Sequence, residues 1–224
     1  MDTVQTPYGA LGKWMLACRP QNEHGCADSD RYISDWLGQK QANGEGLYEP
    51  VDVVIVDRTS ASPEASTLKL LGGMAAAGFP SQYGHSDGYG GVVGSAPVHQ
   101  QQPARPTCGA TDDSKYGCAF ADEVYNHLGR IDHGRAFGPA PLPDGHGYVW
   151  TAALSTEQPG FYHWRPTHVY KSFDRAESKL CKGLAAVTGV TIGDPLDLHN
   201  RIKADSGAHY TGDYSGKACL AFLP

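Results

Sequence analysis

The sequence predicts an α+β fold, a single domain in which helices pack on a mixed sheet, loops are long and disulfides staple the chain. Pro50-Val51-Asp52-Val53-Val54-Ile55-Val56 is an almost unbroken β-branched run, the pattern of a strand buried on both faces, and a capped helix follows it. Three further strand patterns, at 131–137, 148–154 and 168–173, are separated by Pro/Gly-rich turns and predict an antiparallel meander. The cysteines number six and fall partly in close couples, which suits a crosslinked, loop-rich domain.

Residues 1–49 carry Trp14, Tyr32, Trp36 and Tyr48 among polar and Gly-rich stretches and read as an irregular N-terminal layer on a core spanning 50–224. After the run at 50–56, Ser62-Pro63-Glu64 supplies an N-cap, a proline at the first helical position and an early acid. Leu68, Leu71 and Ala75, with Met74 beside them, repeat at helical spacing until Gly78. The stretch 79–106 is rich in Gly, Pro, Gln and Ser, and only Val92-Val93 hints at a strand, so it reads as a long connection. Phe120, Val124 and Leu128 fit a short helix closed by Gly129. Asp174-Arg175-Ala176-Glu177 has capping-box spacing ahead of Leu180, Leu184 and Val187, which predicts another helix. The tail reads as a hairpin around Gly212-Asp213-Tyr214-Ser215-Gly216, with Cys219 on its last strand. No internal repeat is visible, and 1–224 reads as one domain.

At 224 residues the chain is long enough for a self-sufficient core. A net charge of -6 leaves no basic footprint for nucleic acid. The apolar runs are far shorter than the roughly 20 residues that span a bilayer as a helix. Cys18 and Cys26, and Cys108 and Cys118, are separated by seven and nine residues, wider than the usual zinc knuckle, so no metal is expected from them. Short-loop closure favours Cys18–Cys26, Cys108–Cys118 and Cys181–Cys219. Such bridges imply an oxidising compartment, so a periplasmic or secreted protein is expected. Met1-Asp2 opens a polar stretch without an export signal, which reads as a mature form with a replacement initiator Met.

Gly84-His85-Ser86-Asp87-Gly88 matches the Gly-x-Ser-x-Gly of a nucleophile elbow, with Ser86 as the candidate nucleophile of a hydrolase. The elbow needs a strand before the serine and a helix after it, and the flanking residues suit neither. His133 and Arg135 alternate on one predicted strand face, and a meander brings His168 toward them, with Asp174 and Glu177 at the mouth of the next helix. Imidazole, guanidinium and carboxylate together suit an anion, a metal or acid–base work; a strand whose polar residues satisfy one another is the plainer reading. Tyr148, Trp150 and Trp164, with Phe161, Tyr162 and His163, suit stacking on a ligand or filling a core. No cofactor motif is present.

Several segments, taken in order, resemble the LssY C-terminal domain family, found mostly as a tail on bacterial membrane-bound proteins and also as shorter chains. They are Val53-Val54-Ile55-Val56, Ala75-Ala76-Ala77-Gly78-Phe79 and His133-Gly134-Arg135-Ala136-Phe137. Gly147-Tyr148-Val149-Trp150-Thr151-Ala152-Ala153, Thr167-His168 and Tyr210-Thr211-Gly212-Asp213 follow. The resemblance covers about residues 50–223 and implies a bacterial source, with no assigned chemistry. The expectation is an exported, disulfide-stabilised domain that binds a small ligand or a protein. The alternative is a secreted hydrolase using Ser86 or a site centred on His133 and His168.

Overall fold

The computed structural model describes residues 2–18, 32–33, 49–86, 89–99, 116–122, 129–162, 165–202 and 212–224. Its elements are β1 (Thr3–Thr6), β2 (Gly9–Gly12), β3 (Leu16–Cys18), β4 (Tyr32–Ile33), β5 (Val53–Asp57), helix α1 (Pro63–Ala76), β6 (Ser81–Ser86), β7 (Tyr89–Val93) and β8 (Ala96–His99). They continue with β9 (Tyr116–Ala121), β10 (Ile131–Pro141), β11 (Tyr148–Tyr162), β12 (Arg165–Ser172), helix α2 (Phe173–Ala185), β13 (Thr191–Ile192), β14 (Leu196–Asp197) and β15 (Lys217–Leu223). This is an α+β fold.

The larger sheet runs β13-β15-β5-β11-β10-β9-β6, with β12 also on β11 and β14 on β15. β15 is parallel to β5 while β11 is antiparallel to it, so the sheet is mixed and β5 is internal. All of β5 is buried, as its unbroken apolar run requires. β10, β11 and β12 pair antiparallel in sequence order. β11 pairs with β5 through its first half and with β12 through its second.

Strand side chains alternate between faces. On one face Val53, Ile55, Trp150, Leu154 and Cys219 meet Leu70 and Met74 of α1 and Leu180 and Leu184 of α2. On the other, Val54, Val56 and Val149 pack with Leu11, Val93 and Val98 of a smaller sheet ordered β1-β2-β7-β3-β4, with β8 on β7. The larger sheet is thus covered by helices on one side and by a second sheet on the other. Gly91 permits the close contact between sheets, because a Cβ there would lie 2.8 Å from Thr151 Oγ1 and 2.9 Å from Phe137 Cβ.

The helix starts follow local chemistry. Ser62 Oγ accepts the Ala65 N–H at 3.2 Å, with Pro63 in the first turn. α2 begins earlier than the capping-box reading: Ser172 Oγ accepts the Arg175 N–H at 3.0 Å, and Asp174 instead accepts the Ser215 N–H at 2.8 Å. The buried stripe of α1 is Ser66, Leu70 and Met74, and Leu68 is 70% exposed, so the helix is rotated from the predicted face.

Three further expectations change. Where the N-terminal layer is described it carries strands: Thr6-Pro7-Tyr8-Gly9 turns β1 onto β2, and β3 and β4 extend the smaller sheet. The predicted connection at 79–106 contains β6, β7 and β8. Phe120 lies in β9 rather than opening a helix, because it pairs with Ser81 and Gly134 inside the larger sheet; residues 123–128 of that predicted helix lie outside the described residues. In the tail, β15 carries Cys219, and an isolated bridge joins Tyr214 to Ile202. Cys181 and Cys219 are joined. The predicted Cys18–Cys26 and Cys108–Cys118 pairs involve positions outside the described residues.

Candidate functional site

β10 turns Ile131, His133, Arg135 and Phe137 toward the smaller sheet, where Phe137 meets Met15 and Tyr89. The register sets His133 opposite Ser155 and Arg135 opposite Ala153, while β12 sets Tyr170 opposite Glu157. Glu157 is the point of convergence. Its Oε1 lies 2.9 Å from His133 Nε2 and its Oε2 lies 3.7 Å from His168 Nδ1. Ser155 Oγ donates to Glu157 Oε1 at 3.2 Å. The Arg135 guanidinium lies 4.4 Å from the Tyr89 ring centroid, a cation–π contact between the sheets. The Tyr170 hydroxyl donates to Glu49 Oε1, and the Glu49 carbonyl accepts the Met15 N–H at 2.9 Å.

His133, Arg135, His168, Tyr170 and Glu49 are all buried, and the Glu157 side chain is 14% exposed. Burial alone would raise the Glu157 carboxyl. The charge and hydrogen bond of His133, with Arg135 and His168, outweigh that and hold it down at about 2. For Glu49 burial wins over Arg135 and the Tyr170 hydroxyl, and its carboxyl is raised. Burial and the two carboxylates push the Tyr170 phenol well up. Burial works against the Arg135 charge, but Tyr89, Glu49 and Glu157 hold its proton more firmly than usual. The cluster therefore joins a firmly ionised carboxylate, a guanidinium and two imidazoles in a layer shielded from water. Such a layer strengthens every charge interaction within it. It can hold an anion, or use His133, oriented by Glu157, to move a proton.

The sequence-predicted groups are divided between the faces. His133, Arg135 and His168 converge through Glu157. Asp174 and Glu177 do not join them. α2 covers the opposite face, where Asp174 binds the Ser215 backbone and Glu177 lies beside the disulfide. Asp132 also faces α2, accepting from Thr156 Oγ1 and pairing with Lys179 Nζ at 3.1 Å, and Asp122 shares that lysine.

Ser86 ends β6 opposite Tyr116, and the next described residues begin β7 at Tyr89, so strand leads to strand rather than to a helix. The helix N-terminus that would complete an elbow does not follow it. Trp150 is fully buried, and its Nε1 donates to Ser66 Oγ at 3.1 Å, so it fills the core rather than stacking on a ligand. Tyr148 starts β11 opposite Asp57 and is partly exposed. Trp164 lies outside the described residues.

Glu157, Glu49, Tyr170 and Tyr89 were not singled out from sequence. Period-two alternation through Ala153, Ser155 and Glu157 is the signal that would have placed Glu157 beside His133.

Among the described residues, one group of His, Cys, Asp or Glu side chains has metal-ligand proximity: Glu177, Cys181 and Cys219. Its two sulfurs are bonded to each other and are not thiolate ligands. No described helix is long and apolar enough to cross a membrane. No protein-family model, curated protein or solved structure matches the chain.

Proposed function

We propose that the chain is an exported bacterial binding domain, periplasmic or secreted, that takes a small anionic ligand at the inter-sheet cluster. The observation that carries this is the convergence of His133 and His168 on Glu157 beside the buried Arg135 guanidinium. Three groups able to carry positive charge face one firmly ionised carboxylate and a second, Glu49, whose charge burial disfavours. That balance favours an incoming carboxylate or phosphate, which would exchange with internal partners and keep every charge matched. Export rests on the Cys181–Cys219 bridge, since disulfides persist in oxidising compartments. The bacterial assignment rests on the resemblance to the LssY C-terminal domain.

The test is calorimetric titration of disulfide-intact protein with citrate and with inorganic phosphate at pH 6.5. Saturable binding of either anion is expected, weakened at least tenfold in Arg135→Gln and in His168→Gln. If folded wild-type protein binds neither, the reading fails.

A second reading, a secreted hydrolase, is favoured by one feature. Glu157 holds His133 as a carboxylate holds the imidazole of a general base. Turnover of a nitrophenyl ester that is lost in both His133→Gln and Glu157→Gln would favour it over simple binding. Loss in Ser86→Ala alone would move the chemistry to β6.

A further inference from the structure

On the helix-bearing face of the larger sheet, Glu177 and Cys181 stand four residues apart on α2, the spacing that places side chains on one helical face. β15 brings Cys219 beneath them, and the Glu177 carboxylate, Cys181 Sγ and Cys219 Sγ lie within 4.8 Å of one another. The two sulfurs differ in access. Cys181 is partly buried at the rim of the core, whereas Cys219 is 1% exposed among Val53, Leu180 and Ala221. An incoming thiolate therefore reaches Cys181, and Cys219 must leave as a thiolate in apolar surroundings that disfavour its charge. We infer that Glu177 and the Cys181–Cys219 bridge form a thiol–disulfide exchange site for a dithiol reductant. Glu177, in its acid form, supplies the proton that the departing Cys219 takes up.

In the first step a reductant thiolate forms a bond to Cys181 Sγ as the Cys181–Cys219 bond breaks. The electron pair goes to Cys219 Sγ, which takes the Glu177 proton. The reductant's second thiol, ionised by loss of its proton to solvent, then attacks its own sulfur in the mixed disulfide. Cys181 leaves as a thiolate and is protonated from solvent, as is Glu177. The protein disulfide is reduced by two electrons and the reductant departs as a cyclic disulfide.

The surroundings keep Glu177 partly in its acid form at neutrality. Burial is the main cause and the Asp174 charge adds to it; the Ser178 hydroxyl, which donates to Glu177 Oε2 at 3.1 Å, opposes them, and the carboxyl is pushed up to about 7. The other titratable groups facing it are Asp52, raised well above its ordinary value by burial and by Glu177 itself, and Tyr214, raised by burial and by Asp52 and Glu177. Once ionised, Glu177 repels the thiolate forming within 4.8 Å of it. Proton loss and repulsion act in the same direction. The site lies on the opposite face from the inter-sheet cluster and does not depend on the binding reading.

The test is reduction of oxidised full-length protein by dithiothreitol between pH 6 and 8, with acid quench, alkylation and mass spectrometry of the Cys181 and Cys219 peptides. Rates are divided by the concentration of dithiothreitol thiolate. With Glu177 titrating at about 7, the normalised wild-type rate falls about tenfold across that range. Glu177→Gln, which keeps the shape and cannot titrate, gives a flat profile. A flat wild-type profile overturns the proposal, however the variant folds. A tenfold fall that persists in Glu177→Gln also overturns it and assigns the proton to Asp52.

Discussion

Replacing Glu157 by Gln removes the charge on which His133, His168 and Arg135 converge while keeping the side chain's shape. The wild-type carboxyl is held at about 2 against an ordinary 4.5. A gap of about 2.5 pH units at about 1.4 kcal/mol each corresponds to about 3 kcal/mol. Glu157 is 14% exposed, so solvent screening trims this little. The sign follows from linkage. A carboxyl depressed in the folded state contributes fully above its unfolded value, and the contribution disappears as pH falls through the folded one. The stabilisation is therefore complete at pH 7, falls below half by about pH 3 and is nearly gone below about pH 2. Urea unfolding at pH 7, with disulfides intact, should find Glu157→Gln about 2–3 kcal/mol less stable, equivalent to about 5–10 °C in Tm. The gap should shrink by more than half at pH 3. A variant within about 0.5 kcal/mol of wild type at pH 7, or a gap unchanged at pH 3, would mean that the Glu157 charge does not stabilise the fold.

Lys179→Met removes the cation shared by Asp122 and the buried Asp132; with Lys179 47% exposed, the expected loss is about 1–2 kcal/mol by urea unfolding. Gly183→Ala places a Cβ against the Ala77 carbonyl, where α2 passes the end of α1, and should lower stability by about 2–3 kcal/mol; an unchanged midpoint would show that the helices can part freely. Removing the Cys181–Cys219 bridge by double substitution to Ala opens a loop with a sequence separation of 38, worth about 4 kcal/mol by chain entropy. A chemical denaturation midpoint that does not move would show that the bridge merely decorates an already fixed core.

The parts of the fold legible in sequence were those whose chemistry is local or whose burial is one-sided. β5 read correctly because both its faces are buried, and α1 because Ser62 and Pro63 set its start. The smaller sheet was hidden because β1 and β2 span four residues each, and because Gly91 in β7 serves close sheet contact yet looks like a loop residue. β11 seemed to stop at Leu154 because Gln158-Pro159-Gly160 resembles a turn. In the fold Pro159 lies beyond the last pairing of β11 with β10, at Glu157, and pairs only with β12, so its missing N–H is tolerated. That one misreading removed Glu157 from view and left His133, Arg135 and His168 without the group that joins them. Glu49 precedes β5 and follows a segment with no clear period, so only the tertiary contact with Tyr170 reveals it.

The claim that the inter-sheet cluster is the ligand site is tested most directly by nuclear magnetic resonance of the imidazole nitrogens during titration with citrate and with phosphate. Saturable shifts of the His133 and His168 ring signals are expected, with the exposed His146 ring, in the turn between β10 and β11, unmoved. Saturable binding that leaves the His133 and His168 rings unperturbed would put the ligand at another place in the fold.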